Sequence, residues 1–161
     1  MLEIGNGWLS EDQEKTHFAL WSIAKAPLIL GCDLDKISNE SLAIITNQEL
    51  IEINQDSLGV QGTCRVSCLL SDVSAGKPQV YSGPLSNGDI AVVVTNWAMF
   101  DHGEFSFDLG FIASTTSATG VIVRDLWTHT DLGTFSGNFT IDKIPAFGSH
   151  AFRLRQPSSI D

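Results

Sequence analysis

The sequence predicts an α/β opening followed by an all-β antiparallel sandwich. Three observations carry this. The first sixty residues alternate short apolar strands with capped amphipathic helices. From about Gln61 the spacing of apolar residues drops from a period of 3.6 to one of 2. Turn-forming clusters then recur at short intervals to the end of the chain. The opening order of strand, helix, strand, helix is that of βα repeats, and four such elements cannot close a barrel or complete a doubly wound sheet. The expectation is therefore a C-terminal piece of a larger α/β fold joined to a second, all-β domain.

In chain order, Met1-Leu-Glu-Ile-Gly-Asn-Gly7 leads into Ser10-Glu-Asp-Gln13, a capping-box pattern in which hydroxyl and amide side chains satisfy each other's backbone N–H groups. A helix is expected over 11–25. Phe18, Trp21 and Ala24 would form its apolar face, with Leu20 and Ile23 beside them. Glu11 and Asp12 sit in the first turn, Lys25 in the last, and Pro27 stops the helix. Leu28-Ile-Leu30 reads as a strand buried on both faces, running into the polar loop Gly31-Cys-Asp-Leu34. Ser38 is a candidate cap for a helix through Leu42–Ile45, Asn47 for one over Glu49–Ile53, and Gly59 closes the helical part.

In the second part, Gln79-Val-Tyr81 and Ile90-Ala-Val-Val-Val-Thr95 flank the hairpin signal Ser86-Asn-Gly-Asp89. Glu104–Leu109 alternates strictly, placing Phe105, Phe107 and Leu109 on one face. Val121–Trp127, Asn138–Ile141 and His150–Leu154 follow. About seven short strands at this spacing argue an antiparallel sandwich.

The 161 residues, 43% hydrophobic with 14 Gly and 5 Pro, are globular in composition, and apolar runs such as Ala91–Val94 are far too short to cross a bilayer. A net charge of −10 repels nucleic acid and anionic membrane, which argues against both as partners. Residues 1–6 have no basic and apolar signal-peptide pattern. The three cysteines, Cys32, Cys64 and Cys68, leave at least one free or paired outside the chain. If 64–70 is a strand, the Cys64 and Cys68 alpha carbons lie roughly 13 Å apart, so those two can pair only if the chain bends between them. Cys-x3-Cys has no second ligand pair at zinc spacing, and no cofactor or metal is implied.

Met1–Gly7, His17-Phe-Ala-Leu-Trp-Ser-Ile-Ala-Lys-Ala-Pro-Leu-Ile-Leu30, Ile53-Asn-Gln-Asp56, Val123-Arg-Asp-Leu-Trp127 and Asp131-Leu-Gly133, in that order, resemble the C-terminal portion of the family 27 glycoside hydrolases, the α-galactosidases and α-N-acetylgalactosaminidases. The resemblance runs over nearly the whole chain. It implies a (β/α)8 TIM barrel followed by a β-sandwich, with residues 1–59 ending the catalytic barrel, 60–156 forming the sandwich and 157–161 a tail. It also implies retaining hydrolysis of terminal α-galactosides by two aspartates of earlier barrel strands, so that this chain carries neither and is expected to be inactive alone. Met1 matches a residue that lines the galactose pocket and follows an Asn-Asp-Pro-Asp block in the family. Gly5 and Gly7 would shape the loop beyond that strand. The expected partner is an α-galactoside bound by the complete enzyme.

Other candidate residues have plainer readings. Asp33 and Asp35 read as loop and cap charges, and Asp56 follows a helix end. His17, His102, His129 and His150 show no metal-ligand spacing. Trp97 and Trp127 end strands, where they would cap the sandwich or offer a platform to a sugar ring; Trp21 belongs to a helix face and Trp8 to the first loop. Asn39-Glu-Ser41 and Asn138-Phe-Thr140 are N-glycosylation sequons, which with the acidic charge and the family suggest a secreted glycoprotein. Two alternatives stand beside the leading one: a non-catalytic glycan- or protein-binding sandwich, and an α-N-acetylgalactosaminidase. An isolated fragment is expected to expose Phe18, Trp21, Leu28 and Leu30 and to aggregate.

Overall fold

The computed structural model describes residues 1–113 and 120–157. Three helices come first: α1 (Glu11–Ile23), α2 (Asn39–Ile45) and α3 (Gln48–Asn54). Each begins where its cap was expected. Ser10 and Gln13 form the full capping box, with Gln13 N donating to Ser10 Oγ at 3.3 Å and Ser10 N to Gln13 Oε1 at 2.9 Å. Ser38 Oγ accepts from Ser41 N at 3.0 Å, and Asn47 Oδ1 from Leu50 N at 3.1 Å.

Three expectations for this part are corrected. Helix α1 stops at Ile23, with Ala24 as its cap and Lys25 left-handed at φ 56°, and its covered stripe is Glu14, Phe18, Ala19, Ser22 and Ile23. Trp21 is only half-buried and Ala24 is exposed, because the sheet described next, rather than the residues before α1, sets which face is covered. The strand at 28–30 is reduced to a single parallel bridge, Leu2 to Leu30, and it is not buried on both faces: Leu28 is half-buried, Ile29 58% and Leu30 36% exposed. Helices cover one side of this pair only. Phe18, expected to be left uncovered, is buried in the core.

The rest is mostly sheet. Strands β1 (Thr63–Val66), β2 (Gln79–Pro84), β3 (Ile90–Thr95), β5 (Val121–Asp125), β6 (Thr130–Phe135) and β8 (Ser149–Arg155) form a six-stranded sheet in the order β1-β2-β3-β8-β5-β6, all antiparallel. Strands β4 (Phe105–Asp108) and β7 (Asn138–Ile141) pair separately. Two short helices, α4 (Leu70–Ser74) and α5 (Leu109–Ala113), complete the elements. The strand expected over 104–109 thus gives way to α5 at Leu109, and that expected over 121–127 ends at Asp125.

Alternation along the central strands builds two cores. Val80, Val92, Val94, Val123, Phe152 and Leu154 pack with Phe107, Phe139 and Ile141 of the small sheet. Ala91, Val93 and Ala151, on the other face, pack with Phe18, Ala19 and Ile23 of α1. The large sheet is therefore a middle layer, which is why Ala91–Thr95 is buried throughout and reads as continuous apolar sequence. The helix-facing alanines give α1 room to lie close.

The two parts are joined at short range. Gly62 N donates to Ile23 O at 2.8 Å, and a Cβ on Gly62 would stand 2.6 Å from Ile23 Cγ1. Thr16 Oγ1 donates to Phe147 O at 2.9 Å, and Asn47 Nδ2 to Leu126 O at 2.8 Å. Cys64 and Cys68 form a disulfide with alpha carbons 5.7 Å apart. The condition for their pairing is met because β1 ends at Val66 and Ser67 turns the chain at φ 55°.

Candidate functional site

The ends of the two first strands define the candidate site. Leu2 N donates to Ile29 O at 2.8 Å and Gly31 N to Leu2 O at 3.1 Å, holding the segments side by side and parallel. Alternation then sorts their side chains. Leu2 and Ile4 are fully buried beneath the helices, while Met1, 73% exposed, turns to the opposite, open face. Gly31 is required beside them: a Cβ there would lie 2.8 Å from Leu2 O and 3.5 Å from Met1 Cβ. This glycine was not singled out from sequence, and its position after an apolar triplet is the signal that could have found it.

The loop after the first strand is held by a buried carboxylate. Gly5, left-handed at φ 82°, donates its N–H to Glu14 Oε1 at 2.8 Å, while Ser41 Oγ donates to Glu14 Oε2 at 2.6 Å. Glu14 thus ties loop, α1 and the entry to α2 together, and its two donors offset the cost of burying it. Glu3 N donates to His17 Nε2 at 3.1 Å, which makes that nitrogen the acceptor of a neutral imidazole. Burial lowers the His17 pKa, partly opposed by the Glu3 charge.

The remaining candidates serve the frame. Asp33 accepts from Asp35 N at 3.1 Å and pairs with Lys36 at 2.7 Å. Asp56 receives Ser86 N at 3.0 Å, Ser86 Oγ at 2.7 Å and Leu58 N at 3.1 Å, fixing the end of α3 to the β2–β3 hairpin. Burial pushes its carboxyl upward, and the Ser86 and Leu58 hydrogen bonds more than reverse that. His102 bridges to Ile144, and His150 stacks on Phe152. Trp8 is exposed; Trp97, 40% exposed, donates to Gln79 Oε1 at 2.7 Å. Cys32 is a free, half-buried thiol. Among the described residues no group of three or more His, Cys, Asp or Glu could hold a metal, and no helix is long and apolar enough to cross a membrane. Asn39 and Asn138 are both exposed.

The strongest electrostatic feature lies between α3 and the sheet. Arg124 on β5 grips Glu49 on α3 with two bonds, Nε to Oε2 at 2.7 Å and Nη2 to Oε1 at 2.8 Å, and His129 Nδ1 lies 2.7 Å from the same carboxylate. Arg124, then His129, hold the Glu49 carboxyl below its usual range against the opposing effect of burial. The Arg124 hydrogen bond and that of Arg155 likewise lower Asp131. None of this was legible from sequence, since Glu49 and Arg124 lie in separate parts.

Residues 1–56 match the family model described as "Alpha galactosidase A", and residues 75–154 the model described as "Alpha galactosidase C-terminal beta sandwich domain". The chain is 40% identical over 158 residues to α-galactosidase 3 of Arabidopsis thaliana, spanning 96% of this chain and 34% of that one. It is 35% identical over 156 residues to α-galactosidase of Cyamopsis tetragonoloba, again covering 34% of that protein. The crystal structure of α-galactosidase I from Mortierella vinacea superposes with a TM-score of 0.84 at 31% identity, over 96% of this chain and 38% of that one. The chain thus spans about a third of the length of the curated relatives it matches.

Proposed function

We propose, because the chain belongs to the family 27 α-galactosidases and corresponds to the C-terminal portion of their fold, that it serves a secreted enzyme that hydrolyses terminal α-D-galactosides with retention. Residues 1–59 would end the catalytic barrel, 60–156 would form the sandwich and 157–161 a tail. The observation that carries the reading is the sorting of the first strand: Leu2 and Ile4 lie under helices while Met1 faces the open side, the side that a closed barrel turns inward. Met1 then contributes apolar surface to the sugar pocket, and Glu14 with Gly5 holds the loop that positions it.

The reaction needs two carboxylates about 5 Å apart. The resemblance puts both aspartates on earlier barrel strands, and here Asp33 and Asp56 are engaged in loop bonds, so we assign both catalytic aspartates to residues outside this chain, which would be inactive alone. The 161-residue chain and a longer protein that supplies the preceding barrel strands should be assayed side by side on an aryl α-galactoside and on its N-acetylgalactosaminide. Turnover of the galactoside by the longer protein only, with KM raised several-fold by Met1→Ala at near-constant kcat, supports the reading. Turnover by the 161 residues alone overturns the assignment of the aspartates. Preference for the N-acetylated substrate would replace the sugar.

A further inference from the structure

Between the first half of α1, the outer side of α2 and the turn after β5 runs an open groove of about 430 Å³, floored by Trp127 and flanked by Glu11, Lys15, Asn39, Glu40 and His129. It lies apart from the strand ends at Met1 and Gly31 and has no part in the proposed hydrolysis. We propose that this groove seats the core sugars of an N-linked glycan carried by Asn39 itself, the first N-acetylglucosamine resting on the Trp127 ring. The inference rests on the secreted-enzyme reading above.

Four observations meet here. Asn39 belongs to a sequon and its exposed side chain lines the groove. Trp127 offers the kind of surface the C–H face of a pyranose prefers. The Lys15 ammonium, paired with Glu11 at 2.7 Å, lies over the ring 6.0 Å from its centre, at the outer limit of a cation–π contact, and a seated sugar would take its place. The rim mixes both charge signs with amides, which suits an uncharged, hydroxyl-rich ligand better than an ion. Tethering assists: a sugar joined to Asn39 is present at an effective concentration of millimolar order, so the seated state dominates where ring stacking and rim hydrogen bonds together reach millimolar affinity. The sequon hydroxyl belongs to Ser41, which is buried and bonded to Glu14, so the glycan has to be attached before α2 folds onto α1.

Asn138 provides the internal control. It lies on the exposed face of β7, where Asn138 and Thr140 point outward and Phe139 and Ile141 inward. The full-length protein, made in a glycosylating eukaryotic host, should be treated in its native state with a peptide N-glycosidase, and release at each site followed by peptide mapping. Release at Asn39 should be about five- to tenfold slower than at Asn138, with the difference gone after denaturation. Trp127→Leu should abolish the protection. Ala43→Arg, which fills the groove from an exposed helix position without touching the core, should do the same and serves if the tryptophan variant fails to fold. Equal native rates, protection that survives in Ala43→Arg, or an empty Asn39 beside an occupied Asn138 each overturn the inference while leaving secretion standing. Absence of glycan at both sites overturns this inference, while retention of the protein inside the host cell overturns the secreted reading.

Discussion

The central sheet and the Leu2–Leu30 pair are both β-structure, yet they bury their residues by different rules. The sheet is covered on both faces from within the chain, by α1 on one side and by β4 and β7 on the other. The strand pair is covered on one face and leaves Met1 and Ile29 open on the other. In the first part Met1 and Ile29 thus lie open on the side where a (β/α)8 barrel has its interior, with further exposed apolar residues such as Trp8 and Leu34 elsewhere, while in the second part the large sheet is covered on both faces. The difference teaches that the same residue type carries opposite energetic weight according to whether its layer is closed.

The largest effect should come from emptying the closed side. Phe152, 2% exposed and edge-on to Phe139 at 5.3 Å, should cost about 3–5 kcal/mol when changed to Ala, read from urea unfolding. Ile29→Ser, at a position 58% exposed, should cost under about 0.5 kcal/mol in the 161-residue chain but about 2 kcal/mol or more in a longer protein that closes the barrel. Equal costs in the two settings would break the comparison at its root.

Opening the disulfide by Cys64→Ser with Cys68→Ser should lower stability by about 2 kcal/mol, the expectation for so short a loop, and should act on the β1 edge rather than on the helices. Hydrogen exchange would show which region loosens.

The joint between the parts gives a smaller, pH-dependent effect. Glu49→Gln should cost about 1–2 kcal/mol near pH 6, discounted because the pair is partly solvated. The Glu49 carboxyl is depressed in the folded state, so its stabilisation is full above the ordinary glutamate value of about 4.3 and fades as pH falls through the folded value. Stability of the wild type should drop more steeply than that of the variant below pH about 4.3. The smallest effect concerns His17, whose folded pKa is also depressed. Its contribution is present above about pH 6.5 and declines as pH falls below that, so His17→Gln should flatten the mild slope on the acid side of neutrality.

What could be read in the sequence was what is local. The caps at Ser10, Ser38 and Asn47 rest on bonds three residues long, and the hairpin at Ser86–Asp89 on one turn; all were expected and found. Strand β6 was missed because it lies at the sheet edge with nearly every residue exposed, leaving no alternation to detect. The covered face of α1 was misplaced because small residues, Ala19 and Ser22, mark where it meets the sheet, and hydrophobicity alone favours Trp21. At the candidate site Met1 was reached by resemblance, whereas Gly31, the Glu14 bridge and the Trp127 groove depend on contacts between distant segments.

Strand β8 holds the position with the longest reach. It is the last element in chain order, yet it lies at the middle of the large sheet between β3 and β5, and Ala151 forms part of the floor on which α1 lies. As a nascent polypeptide lengthens, α1 can coil early from its own capping box, but its docking surface is finished only after Arg155 has emerged. A chain cut just before Ala151 would therefore leave α1, more than a hundred residues away, without part of the floor on which it settles.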